Sequence, residues 1–201
     1  MDRMRILLIG ATGTIGTAVA AALESRHELV LASRSKSAHH VDLGDPASIR
    51  TLYARVGQID AVVSTAGEAV FKTLADLTDS DFALSLGNKL MGQVNLVRLG
   101  VAVVADGGSF TLTSGVLAQQ PMPGAAAIGL VNAGLEGFAR SAALDLPRAV
   151  RINVVSPPWV AETLTAMGRD PSGGLPAAAV AKAYVASVEG RDSGRVIPAQ
   201  R

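Results

Sequence analysis

Arg5-Ile6-Leu7-Leu8-Ile9-Gly10-Ala11-Thr12-Gly13-Thr14-Ile15-Gly16 is the stretch on which the fold turns. Four apolar residues running into a glycine read as a buried strand. From Thr14 to Arg26, the residues Ile15, Val19 and Leu23 recur every four positions and lay an apolar face on a helix. Between the two lies a loop with glycines at 10, 13 and 16, spaced GxxGxxG. Glycine permits the tight turn and a close backbone approach to a pyrophosphate. The helix that starts near Thr14 points its free N–H groups and the positive end of its dipole at the same anion. An ordinary glycine-rich turn is the plainer alternative. The strand–loop–helix setting favours a dinucleotide phosphate site formed by Gly10, Thr12, Gly13, Thr14, Ile15 and Gly16.

The same alternation continues along the chain. Leu29 to Ala32 reads as a second strand, and His40 to Leu43 as a short third. Asp45-Pro46 signals a helix start, with Asp as the cap and Pro as the first helical residue, and that helix runs to about Val56. Ile59 to Thr65 is a fourth strand, followed by a long helix over Thr78 to Val104. Phe110 to Thr113, Val150 to Val155 and Arg195 to Ile197 supply the fifth to seventh strands. Helices over Ala126 to Leu146 and Ala177 to Val188 separate them, and Gly168 to Pro176 reads as a surface loop. Seven apolar strands alternating with helices imply an α/β fold: a doubly wound, parallel, seven-stranded Rossmann-like sheet in one domain spanning residues 1–201. Ligands in such sheets bind beyond the carboxyl ends of the strands, so the residues following each strand carry the functional information.

Composition narrows the function. Of 201 residues, 49% are hydrophobic and 17% charged, which suits a packed core and excludes disorder. Eighteen Lys+Arg against 17 Asp+Glu leave +1, with no basic surplus for nucleic acid, and 3% aromatics argue against a base-stacking surface. No apolar run reaches membrane-spanning length. Met1 to Arg5 leads straight into the first strand without the pattern of a secretory signal, so a cytoplasmic protein is the expectation. There is no cysteine, and His27, His39 and His40 do not form a ligand set, so no metal site is expected. His27 reads as a charge at the end of the first helix.

The second strand ends at Ala32-Ser33-Arg34, where an NAD site carries an acid for the ribose hydroxyls. A hydroxyl and a guanidinium stand there instead. Arg34 is suited to a 2′-phosphate and to stacking on adenine, which points to NADP(H). Asp42-Leu43 would border the adenine, although Asp42 is equally placed to cap the turn before Asp45.

Beyond these readings, the chain resembles the short-chain dehydrogenase/reductase family over nearly all its length. The resemblance rests on Gly10–Gly16, on Asp60 to Gly67, on Leu112-Thr113-Ser114, on Leu135-Glu136-Gly137-Phe138 and on Arg151 to Pro157. It implies that Thr65, Ala66 and Gly67 pass close to the cofactor, and that Pro157 and the backbone at Val160 border the nicotinamide. Ser64-Thr65 replaces the family's pair of amides, and Pro157-Pro158 its Pro-Gly. It also implies dimers or tetramers built on a two-fold four-helix interface, with Gly129, Ala133 and Gly137 allowing close helix approach.

The departure is at the reaction centre. The family uses Tyr-x-x-x-Lys; alignment on Leu135 to Phe138 puts Ile128 and Asn132 at those positions. The two tyrosines, Tyr53 and Tyr184, are followed four residues later by Gly57 and Val188, so no shift restores the pair. Ser114 matches the family's serine, and Lys89 falls where the family has an Asn, beside Asn88. Ser114 and Lys89 are therefore the catalytic candidates. Lys89 would serve as an acid if desolvated, or as an anchor for an acidic ligand; a solvated helix face is the plainer alternative. Asn132 keeps an amide for the nicotinamide ribose. Met91 and Met122 read as core or pocket lining, and Trp159 as a cover for the site or as packing on the proline pair. The expected function is NADP(H)-dependent oxidation or reduction of a small carbonyl or alcohol with altered proton delivery. A non-catalytic NADP(H)-binding redox sensor and a purely structural subunit are the alternatives. The short stretch from Glu162 to Ala177 suggests an open pocket or a small substrate.

Overall fold

The computed structural model describes residues 3–200. Seven parallel strands form one sheet: β1 (Arg5–Ile9), β2 (Glu28–Ser33), β3 (His39–His40), β4 (Ile59–Ser64), β5 (Val104–Thr113), β6 (Arg151–Ser156) and β7 (Val196–Pro198), in the spatial order 3-2-1-4-5-6-7. Successive side chains of a strand face opposite layers, and here both layers are apolar. On one face Leu7, Ile9, Val62, Phe110, Leu112 and Val154 are buried against α2 (Pro46–Val56), the Leu96 side of the long helix and Leu135. On the other, Ile6, Leu8, Ala61, Val63 and Val155 are buried against α1 (Thr14–Leu23) and the C-terminal helix carrying Val180 and Tyr184. That two-sided burial is why the strands read as continuous apolar runs rather than alternating ones.

Asp45 caps α2 as its sequence predicts, its carboxylate accepting from the Ala47 N–H at 2.8 Å with Pro46 in the first turn. The long helix is not one regular element. It comprises α3 (Asp79–Ser85), a π turn over Leu86–Leu90 and α4 (Met91–Gly100). It stops at Gly100 rather than Val104, because Val104 pairs with Ile59 and opens β5; an apolar run such as Val101 to Val104 fits either element by pattern alone. The third strand is also shorter than expected. Only His39 and His40 pair with β2, and the Asp42 N–H goes instead to the Ser48 hydroxyl at 2.9 Å. α1 ends at Leu23, before Arg26.

The remaining helices are α5 (Ala126–Asp145), α6 (Ala161–Ala166), which periodicity does not reveal, and α7 (Ala177–Glu189). The expected loop at Gly168 to Pro176 contains a 3-10 turn at Pro171–Gly173 and is tied down where buried Leu175 bridges Val160. His27 follows the end of α1 but does not face solvent. It is buried, accepts from the Met4 N–H through Nδ1, and meets Glu189 of α7 through Nε2 at 3.0 Å. Met91 is exposed rather than core. Among the described residues no helix is long and apolar enough to cross a membrane.

Candidate active site

The strand order reverses direction at β1, whose neighbours β2 and β4 are reached from opposite sides of the chain. A crevice opens beyond their carboxyl ends, as expected at such a switch point. Two cavities fill it, and they share Thr65, Ala66 and Gly67 as a common wall.

The first, of about 390 Å³, is lined by Gly10, Thr12 and Gly13 from the glycine loop, Ser33 and Arg34 at the end of β2, and Asp42 and Leu43 after β3. These are residues the sequence assigns to a dinucleotide. Thr14 and Gly16 are not on its wall. Gly16 instead lies against the Gly10 carbonyl, where a Cβ would come within 2.0 Å of the oxygen, so it sets the packing of α1 on the loop. Asp42 borders the cavity and accepts from the Gly44 N–H at 2.8 Å. Thr65 Oγ1 lies 3.0 and 3.2 Å from the carbonyls of Ile9 and Gly10, which locks the end of β4 to the start of the loop. Glu68, to which the sequence assigns no role, also lines this cavity. Its carboxylate pairs with Arg34 at 3.2 Å, with both side chains largely exposed.

The second cavity, of about 350 Å³, is lined by Ile15, Lys89, Ser114, Ile128, Asn132, Pro157, Trp159 and Val160 among others. Ile128 and Asn132 do therefore share one helix face toward the candidate reaction centre, one turn apart on α5. Trp159 is a wall of the cavity, and the Arg169 guanidinium stands 5.6 Å from its ring centre.

Lys89, which lines this cavity, lies within the π turn, an irregularity often found at functional sites. Gln93, in the first turn of α4, stabilises the π turn. Its amide donates to the Lys89 carbonyl at 3.2 Å and the Thr113 carbonyl at 2.9 Å, and accepts from the Thr113 N–H at 2.8 Å. The turn and the end of β5 are thus held together by one buried side chain. Asn88 fixes the other side, accepting from the Glu68 N–H at 2.8 Å. Gly67 adopts φ +151, and a Cβ there would come within 2.9 Å of Lys89 Cγ, so the lysine stem occupies the space a side chain would need.

Lys89 Nζ lies 3.5 Å from the Ser114 carbonyl and in no ion pair among the described residues. Burial without a counter-charge lowers its pKa from 10.5 to about 8. Ser114 Oγ donates to Glu136 at 3.0 Å, and Glu136 also accepts from the Gln119 side chain. Asn132 Nδ2 donates to the Gly115 carbonyl at 3.3 Å, whereas its Oδ1 is buried without a partner. An orphaned acceptor on a cavity wall calls for a donor from a bound molecule, and a ribose hydroxyl is of the right kind. The glycine cradle, the free acceptor and the cation at the far rim together fit a nicotinamide dinucleotide.

Comparison with known proteins agrees with the fold. A family model described as Enoyl-(Acyl carrier protein) reductase matches residues 10–195. The solved structure of the protein lin1944 from Listeria innocua is 40% identical, superposes with a TM-score of 0.94, and covers 98% of this chain and 100% of its own. A small-chain dehydrogenase solved in complex with NADPH is 26% identical with a TM-score of 0.86, covering 98% of this chain and 96% of its own. Hydroxynaphthalene reductase arp2 of Aspergillus fumigatus is 30% identical over 113 residues, which are 56% of this chain but only 41% of that protein.

Proposed function

The chain belongs to the short-chain dehydrogenase/reductase family, and on that premise we propose that it is an NADP(H)-dependent oxidoreductase acting on a small carbonyl or alcohol, with proton handling unlike the family's usual pair. The observation that carries this reading is the partly desolvated Lys89 on the wall of a cavity that also presents Ser114 and the unpartnered Asn132 Oδ1.

Gly10, Thr12 and Gly13 would hold the pyrophosphate, Arg34 a 2′-phosphate, and Asn132 the nicotinamide ribose. The bound nicotinamide supplies or takes the hydride. At neutral pH the Lys89 ammonium is charged; it donates to the substrate oxygen and stabilises the negative charge that develops there. Trp159 and the Pro157-Pro158 pair exclude water from one side of the cavity.

NADPH should bind more tightly than NADH by about tenfold or more, because a guanidinium forms charge-assisted bonds to a phosphate and Glu68 is displaced at little cost from an exposed pair. Fluorescence titration of both cofactors tests the assignment. Arg34→Ala should remove most of the preference, and equal affinities in the parent protein would refute it.

The partner proposed is a second copy of the chain. Leu130 and Leu144 of α5 and Met91 of α4 are exposed, while a Cβ on Gly137 would meet nothing within 4 Å. Leu130, Ala133 and Gly137 lie on one helix face, so a two-fold helix pairing would cover them. Light scattering should report a dimer or tetramer, and Leu130→Glu should shift it toward monomer. A monomeric parent at micromolar concentration rules this out.

Ile128 and Asn132 favour a second reading, a non-catalytic NADP(H)-binding sensor. Turnover of a carbonyl panel with NADPH separates the two.

A further inference from the structure

We propose that Glu136, acting through the Ser114 hydroxyl, is the proton store for the oxidoreductase reaction, replacing the acid that Ile128 cannot supply. The inference rests on the oxidoreductase reading above and names the proton path within that site.

Glu136 stands one turn beyond Asn132 on α5, so residues 128, 132 and 136 all face the end of β5. Its carboxylate is buried, with 4% of its surface exposed, and it forms no ion pair among the described residues. Two contacts hold it: the Ser114 hydroxyl donates to Oε1 at 3.0 Å and the Gln119 amide donates to Oε2. A glutamine at 136 would satisfy the same partners, its oxygen accepting from Gln119 and its amide donating to Ser114. It would do so without the desolvation that burying an unpaired carboxylate entails. Hydrogen bonding alone therefore does not call for a carboxyl group at this position, whereas proton transfer does.

The geometry also sets the direction of the Ser114 proton. A carboxylate has acceptors only, so Ser114 spends its hydrogen on Glu136 and turns lone pairs to the cavity. It is thereby set to accept a proton from an alcohol. Lys89 cannot do so while it is an ammonium. In the oxidative direction, with a bound nicotinamide there to take the hydride from the carbinol carbon, the substrate O–H bond would break. Its proton goes to Ser114 Oγ, the original Ser114 O–H bond breaks, and that proton goes to Glu136 Oε1. The products are a carbonyl, reduced cofactor and a neutral Glu136. Reduction runs the same steps in reverse. Gln119, which is exposed, covers the second oxygen and lies between Glu136 and solvent, where the stored proton leaves.

The test compares the parent with Glu136→Gln, using NADP+ and cyclohexanol as the probe pair. NADP+ affinity, read by titration, should stay within about threefold, whereas turnover should fall by about 100-fold or more, the scale of losing a positioned proton acceptor. Difference infrared spectra of the parent on mixing with both probes should show a protonated-carboxyl band that is absent from the variant. A structural role for Glu136 would not produce that band. Turnover in the variant within about threefold of the parent overturns the relay, as does a band that persists in it. A parent that binds NADP+ yet neither turns over cyclohexanol nor shows the band also overturns it, and leaves the cofactor assignment standing. Failure of the parent to bind NADP+ sinks the oxidoreductase reading and the relay together.

Discussion

Lys89→Met should lower turnover of a carbonyl substrate by about 10²- to 10³-fold, the loss associated with removing one preorganised donor to a developing oxyanion. Met matches the length and apolar stem of lysine, so the space against Gly67 stays filled and the backbone of the π turn is unaffected. NADPH binding, read by fluorescence, should change little, because Lys89 lies on the wall of the second cavity and not of the first, where the phosphates are assigned. Turnover reduced by less than about threefold would remove Lys89 from the reaction, since an effect of that size needs no contact with the reacting atoms.

The same lysine predicts two pH dependences. Reductive turnover should fall as pH rises through about 8, where Lys89 loses its charge, and Lys89→Met should abolish that limb. Stability moves the other way. The unfolded chain keeps the lysine proton up to its ordinary value of 10.5, and the folded chain releases it near 8. Between the two, the unfolded state binds more protons, so raising the pH through this window stabilises the fold. The penalty for a desolvated charge is fully present below about 8. Above about pH 10 the buried tyrosines Tyr53 and Tyr184 oppose this, because burial holds their hydroxyls protonated beyond the range where an unfolded tyrosine ionises. Thermal melts at pH 7 and pH 9 should therefore show the parent gaining on Lys89→Met.

What was legible in the sequence follows from where the physics is local. A buried parallel strand is an apolar run and a βα phosphate loop is a glycine spacing, so β1, the loop and the start of α1 at Thr14 are placed without a structure, while the end of α1 is not. Asp45-Pro46 marked a helix start for the same reason, since a cap acts within one turn. The π turn was not legible. One extra residue in a helical turn leaves no trace in the spacing of Leu86, Leu90 and Val94, and its stabilisation comes from Gln93 bonding to a strand 20 residues away. Glu136 was read only as part of a family pattern, because its meaning depends on Ser114 and Gln119 converging on it from another element. Glu68 was likewise missed, because its ion pair with Arg34 joins the ends of two strands that are adjacent in space and distant in the chain. Gly16 adds a role that the spacing alone does not separate from ligand contact: it lets helix and loop approach, since a Cβ there would meet the Gly10 carbonyl.

The double change Ile128→Tyr with Asn132→Lys should raise NADPH-dependent reduction of an activated carbonyl such as 2,3-butanedione by about 10²- to 10⁴-fold over the parent, the range for adding a positioned general acid. Ile128 and Asn132 already line the cavity that presents Ser114, and they are one turn apart on α5, so neither new side chain has to be re-aimed across the fold. The cavity of about 350 Å³ has room for the phenol. Lysine at 132 would keep a donor for the Gly115 carbonyl, now served by the Asn132 amide, and would remove an acceptor that is buried without a partner. Its charge, with that of Lys89, lowers the pKa of the new tyrosine toward the working range. Each single change should give far less than the pair, because a tyrosine without the cation stays a weak acid and a cation without the tyrosine supplies no new proton path; the two effects are coupled and will not add. The measurement is NADPH oxidation by the parent, both single variants and the double variant at one pH, with cofactor binding confirmed for each. A double variant that binds NADPH but reacts no faster than the parent would show that positions 128 and 132 do not flank the reacting atoms. It would detach the candidate site from the alignment on Leu135 to Phe138 that led to them.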